Sequence, residues 1–226
     1  MGAKPVSQPP LEDLQEFRSR AATYGPESLA TEECLALLLR RGCGRAAPGW
    51  AERLLARFGS LPELLGAPEA ELRRQAPAAV ALDIALLHDL QRRALQAPLR
   101  RRAALAGLGL VSDYLRVVLA AEPREQFRVL FLDKGLRLIR DEAMGHGTVD
   151  HAPAYPREVL RRALELNAAG VVLAHNHPGG DATPSAADIE LTRQVSAAAL
   201  VLRIAVYDHL LVAGELVVSF RRLGLL

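Results

Sequence analysis

The amino-acid sequence predicts an α/β (α+β) protein, in which a mixed sheet flanked by helices follows a small all-helical domain. Between residue 11 and about residue 96 the apolar residues recur at helical spacing and β-branched residues are scarce. After Ser112, short β-type runs alternate with helical segments and end in antiparallel strands. We therefore expect residues 1–102 to form the helical region and a linker, and residues 103–226 to form the sheet domain.

Start and stop signals divide the helical region. In "SLATEECLALLLRRG", Thr31 can cap the N-terminus of a helix and Gly42 can end it. The segment "GWAERLLARFGS" repeats this scheme, with Gly59 as its stop. Pro98 is expected to end the last helix because proline lacks an N–H group, and the arginines after it predict a linker.

The second region reads as strands and helices in turn. Ser112 is expected to cap the helix "DYLRVVLAA", and "KG" joins the runs "FRVLFLD" and "LRLIRDEA" in a predicted hairpin. A helix is expected from Pro156, a short buried strand over residues 171–174, and a second helix from about Ser185. The last part, "RIAVYDHLLVAGELVVSF", predicts three more strand segments with a turn at its Ala-Gly pair.

Composition excludes several classes of protein. The net charge of +2 lacks the strong basic excess of a dedicated nucleic-acid-binding protein. The basic run over residues 91–102 leaves two interpretations open, contact with phosphates or a solvated helix end and linker. Cys34 and Cys43 are too few for a disulfide framework. Without a run of ~20 apolar residues or a recognisable signal peptide, we expect no membrane partner and a cytoplasmic location.

The stretch "AHNHPGGDATPSAAD" over residues 174–188 contains two histidines. Side chains alternate along a strand, so that His175 and His177 are expected on one side and Asn176 on the other. Two imidazoles on one side suit a metal ion, and the two glycines after them allow a tight turn. The alternative interpretation is a polar turn between a strand and a helix.

The residues after this turn add a carboxylate. Thr183 is expected to cap the next helix and Pro184 to occupy its first position. Ser185 and Asp188 are three residues apart and hence lie on one face of that helix, near its N-terminus. Two histidines, one carboxylate and an open fourth position predict a catalytic Zn²⁺ site and not a closed structural one.

This spacing, His175-x-His177, seven residues, Ser185, two residues and Asp188, resembles the metal signature of the JAB1/MPN metallopeptidases, the JAMM motif. The surrounding "NAAGVVLAHNHPGGDATPSAADIELTRQV", with "REQFRVLFLD", "YPREV" and "DHLLV", looks like the RadC family of bacterial proteins. "ESLATEECLALLLRRG" and "AERLLARFGSLPELL" look like the N-terminal region of that family, so that the resemblance covers nearly the whole chain. It implies a JAB1/MPN-like (cytidine-deaminase-like) sheet domain.

The resemblance also implies roles for individual residues. His175, His177 and Asp188 would bind Zn²⁺, with water in the fourth position. Glu125, just ahead of "FRVLFLD", would be the general base that takes a proton from this water, and Ser185 would stabilise the oxyanion.

Two of the residues carry an alternative. The alternative interpretation of Glu125 is a surface carboxylate that pairs with Arg124 or Arg128. His209 in "YDHLL" can orient a metal ligand from outside the site, or can be a structural histidine whose hydrogen bonds are satisfied.

The chain departs from the family pattern in two places. The RadC family's helix-hairpin-helix contacts DNA through a glycine-containing hairpin, but the corresponding residues 75–79 here contain proline and alanine and no glycine. We therefore do not infer from the resemblance that this protein binds DNA. Gly179 stands where the family commonly has serine, and we expect this change to be tolerated.

The favoured function is that of a zinc-dependent hydrolase that cleaves a peptide or isopeptide bond in a protein or peptide substrate. The alternative is a non-enzymatic accessory factor in DNA repair or recombination, because fold analogy alone does not decide function. A zinc nucleobase deaminase would need a downstream cysteine pair, and no cysteine follows Cys43. The substrate and the oligomeric state stay open.

Overall fold

The computed structural model describes residues 11–101, 103–104, 108–146 and 155–226 of the protein. The chain divides into two compact units, Met1–Leu90 and Gln91–Leu226. This division lies ahead of the boundary expected after residue 102. The α-helices that begin in the first unit are α1 (Leu11–Tyr24), α2 (Thr31–Cys43), α3 (Ala47–Phe58), α4 (Leu61–Gly66), α5 (Glu69–Gln75) and α6 (Ala78–Arg101).

The bounds of α2 differ slightly from the expected ones. Its N-cap is Ala30 and not Thr31, because the Glu33 carboxylate accepts a hydrogen bond from the Ala30 N–H at 2.8 Å. The helix continues past Gly42, and the chain leaves it at Gly44, whose φ of 56° lies in the left-handed region. Gly42 does not end the helix because its φ is not positive, whereas Gly44 adopts the left-handed conformation in which a glycine commonly ends a helix.

An apolar core holds the first unit together. α3 ends as predicted, with Gly59 as its C-cap at a φ of 89°. The helices pack their apolar faces around large side chains that include Leu14, Leu35, Leu39, Leu54, Leu64, Leu72, Val80 and Ile84. The predicted all-helical character of this region is confirmed.

The expected end of α6 at Pro98 is wrong, because the helix continues three residues beyond it. Proline inside a helix removes a hydrogen bond and costs about 3 kcal/mol. The next residue, Leu99, is fully buried in an apolar cluster of the second unit, and burial of a leucine contributes about 1.5–3 kcal/mol. Residues 91–101 are thus the end of a helix, of which Leu99 is buried and the other residues are half-buried or exposed. Contact with phosphates stays a prediction.

The second unit is built on a five-stranded mixed sheet, which confirms the predicted fold class. Its strand order is β2-β1-β3-β4-β5; β3 and β4 are parallel, and the other neighbours are antiparallel. The elements are α7 (Leu108–Leu119), β1 (Gln126–Leu132), β2 (Leu138–His146), α8 (Pro156–Glu165), β3 (Gly170–Asn176), α9 (Ala186–Val201), β4 (Ala205–Ala213) and β5 (Leu216–Ser219).

Most local expectations for this unit hold. β1 and β2 form the predicted hairpin, and Pro156 begins α8 as its first residue. Two expectations are wrong. Ser112 lies inside α7, which begins four residues earlier. The last part of the chain forms two strands instead of three, because Ala205–Ala213 is one strand whose pairing with β3 contains a single register shift.

The two faces of the sheet bear different helices. Val172 and Ala174 of β3 belong to one apolar cluster with α7, whereas Val171 and Leu173 belong to a second cluster with α8 and α9. Side chains alternate along the strand, so that the odd-numbered residues continue toward the α9 side. Neighbouring side chains at the end of β3 therefore face opposite sides of the sheet, one toward α7 and the next toward α8 and α9.

Among the residues that the structure describes, we find no helix with both the length and the apolar character needed to cross a bilayer.

Candidate metal centre

The two histidines lie at the carboxyl end of β3. His175 belongs to the strand, and the His177 N–H donates to the Val212 carbonyl of β4 at 2.9 Å, so that extended pairing continues beyond Asn176. The imidazoles of His175 and His177 consequently point to one side, as the alternation predicted. The chain then turns at Gly180, whose φ is 79° and whose N–H donates to the His177 carbonyl at 3.0 Å.

α9 begins one residue later than expected, because Ser185 caps it and not Thr183. The Asp188 N–H donates to Ser185 Oγ at 3.2 Å. In return, Asp188 Oδ2 accepts bonds from the Ser185 N–H at 2.8 Å and from the Ser185 hydroxyl at 2.6 Å. This reciprocal capping fixes the Asp188 carboxylate at the N-terminus of α9, beside the end of β3.

Three possible ligand atoms converge between β3 and α9. His175 Nε2 lies 3.3 Å from His177 Nε2 and 3.4 Å from Asp188 Oδ1, and His177 Nε2 lies 3.5 Å from Asp188 Oδ2. Two ligand atoms that bind one zinc ion at roughly 2.0–2.1 Å with tetrahedral geometry are about 3.3–3.4 Å apart. These residues can therefore hold a metal ion, since one ligand atom from each of the three lies within 4.8 Å of the others.

Burial and charge also suit a metal ion. The exposed fraction of the side chain is 1% for His175, 19% for His177 and 12% for Asp188, so that the group is largely enclosed but reachable from solvent. Burial alone would raise the pKa of the Asp188 carboxyl, but the neighbouring His175 ring and the bonds from Ser185 hold this pKa well below its usual range. A polar turn alone does not account for this convergence of ligand atoms.

Each histidine is held through its second ring nitrogen. His177 Nδ1 lies 2.7 Å from the Asp181 carbonyl, and His175 Nδ1 lies 2.8 Å from His209 Nε2. Contacts of this kind orient metal-binding imidazoles in proteins. His209 is fully buried, and its burial, followed by the effect of His175, lowers its pKa well below the ordinary value. His209 thus contacts the site directly.

Glu125 lies immediately before β1 and is only 8% exposed. Phe127 of β1 pairs with His175 of β3 in antiparallel register. The same register, continued by two residues along each strand, sets Glu125 opposite His177. The predicted general base is therefore placed at the same end of the sheet as the candidate ligands.

The two arginines that the alternative interpretation pairs with the Glu125 carboxylate do not form ion pairs with it. Arg128 forms a bidentate ion pair with Asp141, with N–O distances of 3.0 and 2.8 Å. Within the described parts of the chain no ion pair joins Glu125 to Arg124 or to Arg128. The interpretation of Glu125 as an exposed, paired carboxylate is not supported.

Asn176 holds the segment that carries Glu125, a role that the sequence did not predict. Its Oδ1 accepts a bond from the Gln126 N–H at 2.8 Å, and its Nδ2 donates to the carbonyls of Glu122 and Arg124 at 3.1 and 3.2 Å. These bonds bracket Glu125 on both sides. The only signal in the sequence was the predicted orientation of Asn176 away from the histidines.

The predicted departures from the family pattern are visible in the backbone. Residues 75–79 join α5 to α6, Ala76 is extended at a φ of −143°, and no residue of this fully described segment has a positive φ. The hairpin therefore lacks the glycine geometry that brings backbone amides close to phosphate. A Cβ atom at Gly179 would meet no atom within 4 Å, so that the serine of the family would fit there.

Comparison with known families supports the sheet domain. A family model described as "RadC-like JAB domain" matches residues 108–225, which is more than half of the chain. The match includes β1 to β5, and with them every candidate site residue.

Proposed function

The chain belongs to the RadC-like JAB domain family, and from this premise we propose that it is a zinc-dependent hydrolase of the JAB1/MPN type that cleaves a peptide or isopeptide bond. The observation that carries the proposal is the convergence of the two imidazole Nε2 atoms of His175 and His177 with the Asp188 carboxylate, at contact distances of 3.3 to 3.5 Å. Three protein ligands leave one position for water or substrate, which is the arrangement of catalytic zinc sites.

The donor set favours zinc over harder cations. Imidazole nitrogen suits zinc and other transition metals, whereas Mg²⁺ and Ca²⁺ take oxygen ligands almost exclusively. Zn²⁺ bound by these residues supplies a Lewis acid that polarises a carbonyl and brings the pKa of water near 7. The remaining chemistry is assigned to side chains of this protein.

Glu125 is the proposed proton carrier. Its carboxylate accepts a proton from the attacking water and delivers it to the leaving nitrogen, which is the ordinary task of a general base that becomes a general acid. Its low exposure and the bonds of Asn176 to the flanking backbone support this role, because a base must be held in one place to act.

Ser185 is the proposed oxyanion donor. Its hydroxyl has a single proton, which in this structure is directed at Asp188 Oδ2. The role therefore requires the hydroxyl to rotate from Asp188 toward the developing negative charge. A donor of this kind typically contributes about 10²-fold or more to the rate.

Zinc content per chain tests the metal centre. Elemental mass spectrometry of the purified protein is expected to give near-stoichiometric zinc, and the variants His177→Ala and Asp188→Asn are expected to retain little. Glu190→Gln serves as the control, because this exposed carboxylate on α9 pairs with Arg193 outside the site. Wild-type protein that takes up no zinc would exclude the hydrolase.

Turnover tests the reaction. Zinc-loaded protein is screened against peptide and lysine-isopeptide libraries with fluorescent reporters, and Glu125→Gln is expected to lose activity by about 10²-fold or more while it keeps its zinc. Glu190→Gln is again the control. A Glu125→Gln variant with full activity would contradict the assignment of the base. If the zinc-loaded wild type cleaves nothing, the accessory-factor interpretation stands in place of the hydrolase.

A further inference from the structure

A continuous chain of short contacts links the backbone of α9 to the ring of His175. Thr192 Oγ1 lies 2.6 Å from the Asp188 carbonyl oxygen and 2.6 Å from His209 Nδ1. The other nitrogen of that ring, His209 Nε2, lies 2.8 Å from His175 Nδ1. Thr192, His209 and His175 are all buried, so that water does not compete for these contacts.

The chemistry of the groups fixes the position of each proton. Two oxygen atoms 2.6 Å apart repel each other unless a proton lies between them, and a carbonyl has none to give, so that the Thr192 hydroxyl donates to Asp188. Thr192 Oγ1 must then accept the second bond, which requires a proton on His209 Nδ1. In a neutral imidazole the other nitrogen is an acceptor, so that His209 Nε2 accepts a proton from His175 Nδ1.

The consequence lies at the opposite side of the His175 ring. Since Nδ1 of His175 carries the proton, its Nε2 directs a lone pair at His177 and Asp188. His177 is in the same state, because its Nδ1 can only donate to the Asp181 carbonyl. Two nitrogen lone pairs and a carboxylate thus face one another, an arrangement that is favourable only around a cation.

Aromatic packing keeps the His209 ring in place. The ring of Phe220 lies against it with centroids 4.4 Å apart, and Phe127 approaches from the edge at 5.8 Å. The ring is fully buried, and an apolar enclosure of this kind favours the neutral imidazole.

We propose that Thr192 and His209 are positioning residues that hold His175 in the tautomer protonated on Nδ1, so that its Nε2 is ready to bind the metal ion. This inference rests on the proposed zinc centre and deepens it. The helix α9 then contributes to the site twice. It supplies the candidate ligand Asp188, and through the Thr192 hydroxyl it determines which nitrogen of His175 carries the proton.

The variant Thr192→Val tests the inference, because it replaces the hydroxyl by a methyl group of similar size. His209 then loses its acceptor and is expected to move its proton to Nε2, which places the proton of His175 on Nε2 and blocks the ligand atom. The expected result is a zinc affinity lower by about 10- to 100-fold, measured by competition with a chromophoric chelator. Thr192→Ser restores a hydroxyl and is expected to restore the affinity.

Nitrogen NMR of the histidine rings gives a readout that a merely structural role would not move. In zinc-free wild type under alkaline conditions, His175 and His209 are expected to be protonated on Nδ1, and in Thr192→Val both are expected to be protonated on Nε2. Unchanged tautomers together with unchanged zinc affinity in Thr192→Val would overturn the inference and leave the proposed function standing. A wild type that binds no zinc would instead remove the proposed function itself.

Discussion

The two units bury different kinds of side chain. In the described part of the first unit, the large buried side chains are apolar, whereas the second unit also buries Glu125, Gln126, His175, Asn176, Thr192, Asp208, His209 and Ser219. An unpaired polar group costs about 1–3 kcal/mol to bury. In the second unit these groups apart from Glu125 lie on β1, β3, β4, β5 and α9, and they form hydrogen bonds there. The contrast separates a core that serves folding from an interior that also holds a site.

Zinc binding is the largest expected difference between the units. At a free zinc concentration about 1,000 times the Kd, the folded second unit is expected to gain about 4 kcal/mol. Denaturant unfolding with zinc and with a chelator measures the gain, and hydrogen exchange of β3 and α9 amides locates it. Asp188→Asn is the control that should not respond. An equal gain in that variant would mean that zinc binds elsewhere.

The stability of the first unit is expected to depend on the volume of its buried apolar side chains and not on zinc. Leu39 is fully buried, so that Leu39→Ala should lower the free energy of unfolding by about 3 kcal/mol without a change in zinc affinity. Its neighbour Leu38 is 52% exposed, and Leu38→Ala is expected to change stability by less than about 0.5 kcal/mol. Weaker zinc binding in Leu39→Ala would show that the comparison between the units is too simple.

The bonds of Asn176 are expected to matter less than a core leucine but more than a surface group. Asn176→Asp keeps the size of the side chain and turns its two donated bonds into repulsion with the carbonyls of Glu122 and Arg124. We expect a loss of about 2 kcal/mol in stability and faster hydrogen exchange around Glu125. Gln194→Glu, the same change at an exposed position of α9, is the control. Unchanged hydrogen exchange around Glu125 in Asn176→Asp would show that the Asn176 bonds do not hold this segment.

The smallest expected effect belongs to an ion pair at the surface of the second unit. The hydrogen bond from Arg162 lowers the pKa of Glu142, and both side chains are about a quarter exposed. A lowered carboxyl pKa gives stability that is present above the unfolded pKa of about 4.3 and is lost as the pH falls through the folded pKa. Glu142→Gln should therefore cost under about 1 kcal/mol at neutral pH and nothing in acid, as measured by urea unfolding. A cost that persists in acid would exclude the ion pair as its source.

Local sequence patterns were sufficient for the candidate ligands. Alternation along a strand places His175 and His177 together, and a spacing of three residues places Asp188 beside Ser185. These relations hold within one short stretch of chain and do not depend on the rest of the fold. The helical first region and the hairpin of β1 and β2 follow from local periodicity in the same way.

The remaining features depend on contacts between distant segments. Asn176 bonds to Gln126 across 50 residues, and His209 bonds to His175 across 34, so that no local pattern predicts either contact. The prediction that α6 ends at Pro98 failed for the same reason, because the burial of Leu99 against distant residues offsets much of the cost of a proline inside a helix. The capping of α9 by Ser185 instead of Thr183 is a local feature by contrast, because it is decided by the reciprocal bonds with Asp188 three residues later.

The three candidate ligands lie within residues 175–188, a short stretch that begins with the last two residues of β3 and ends with the first three residues of α9. An ion that closes so short a loop restrains little of the chain, and by the same reasoning its loss releases little. A substitution in this loop can thus remove metal binding while the sheet and its helices remain. The proposed reaction could then be lost through a single substitution while the fold of the domain is retained.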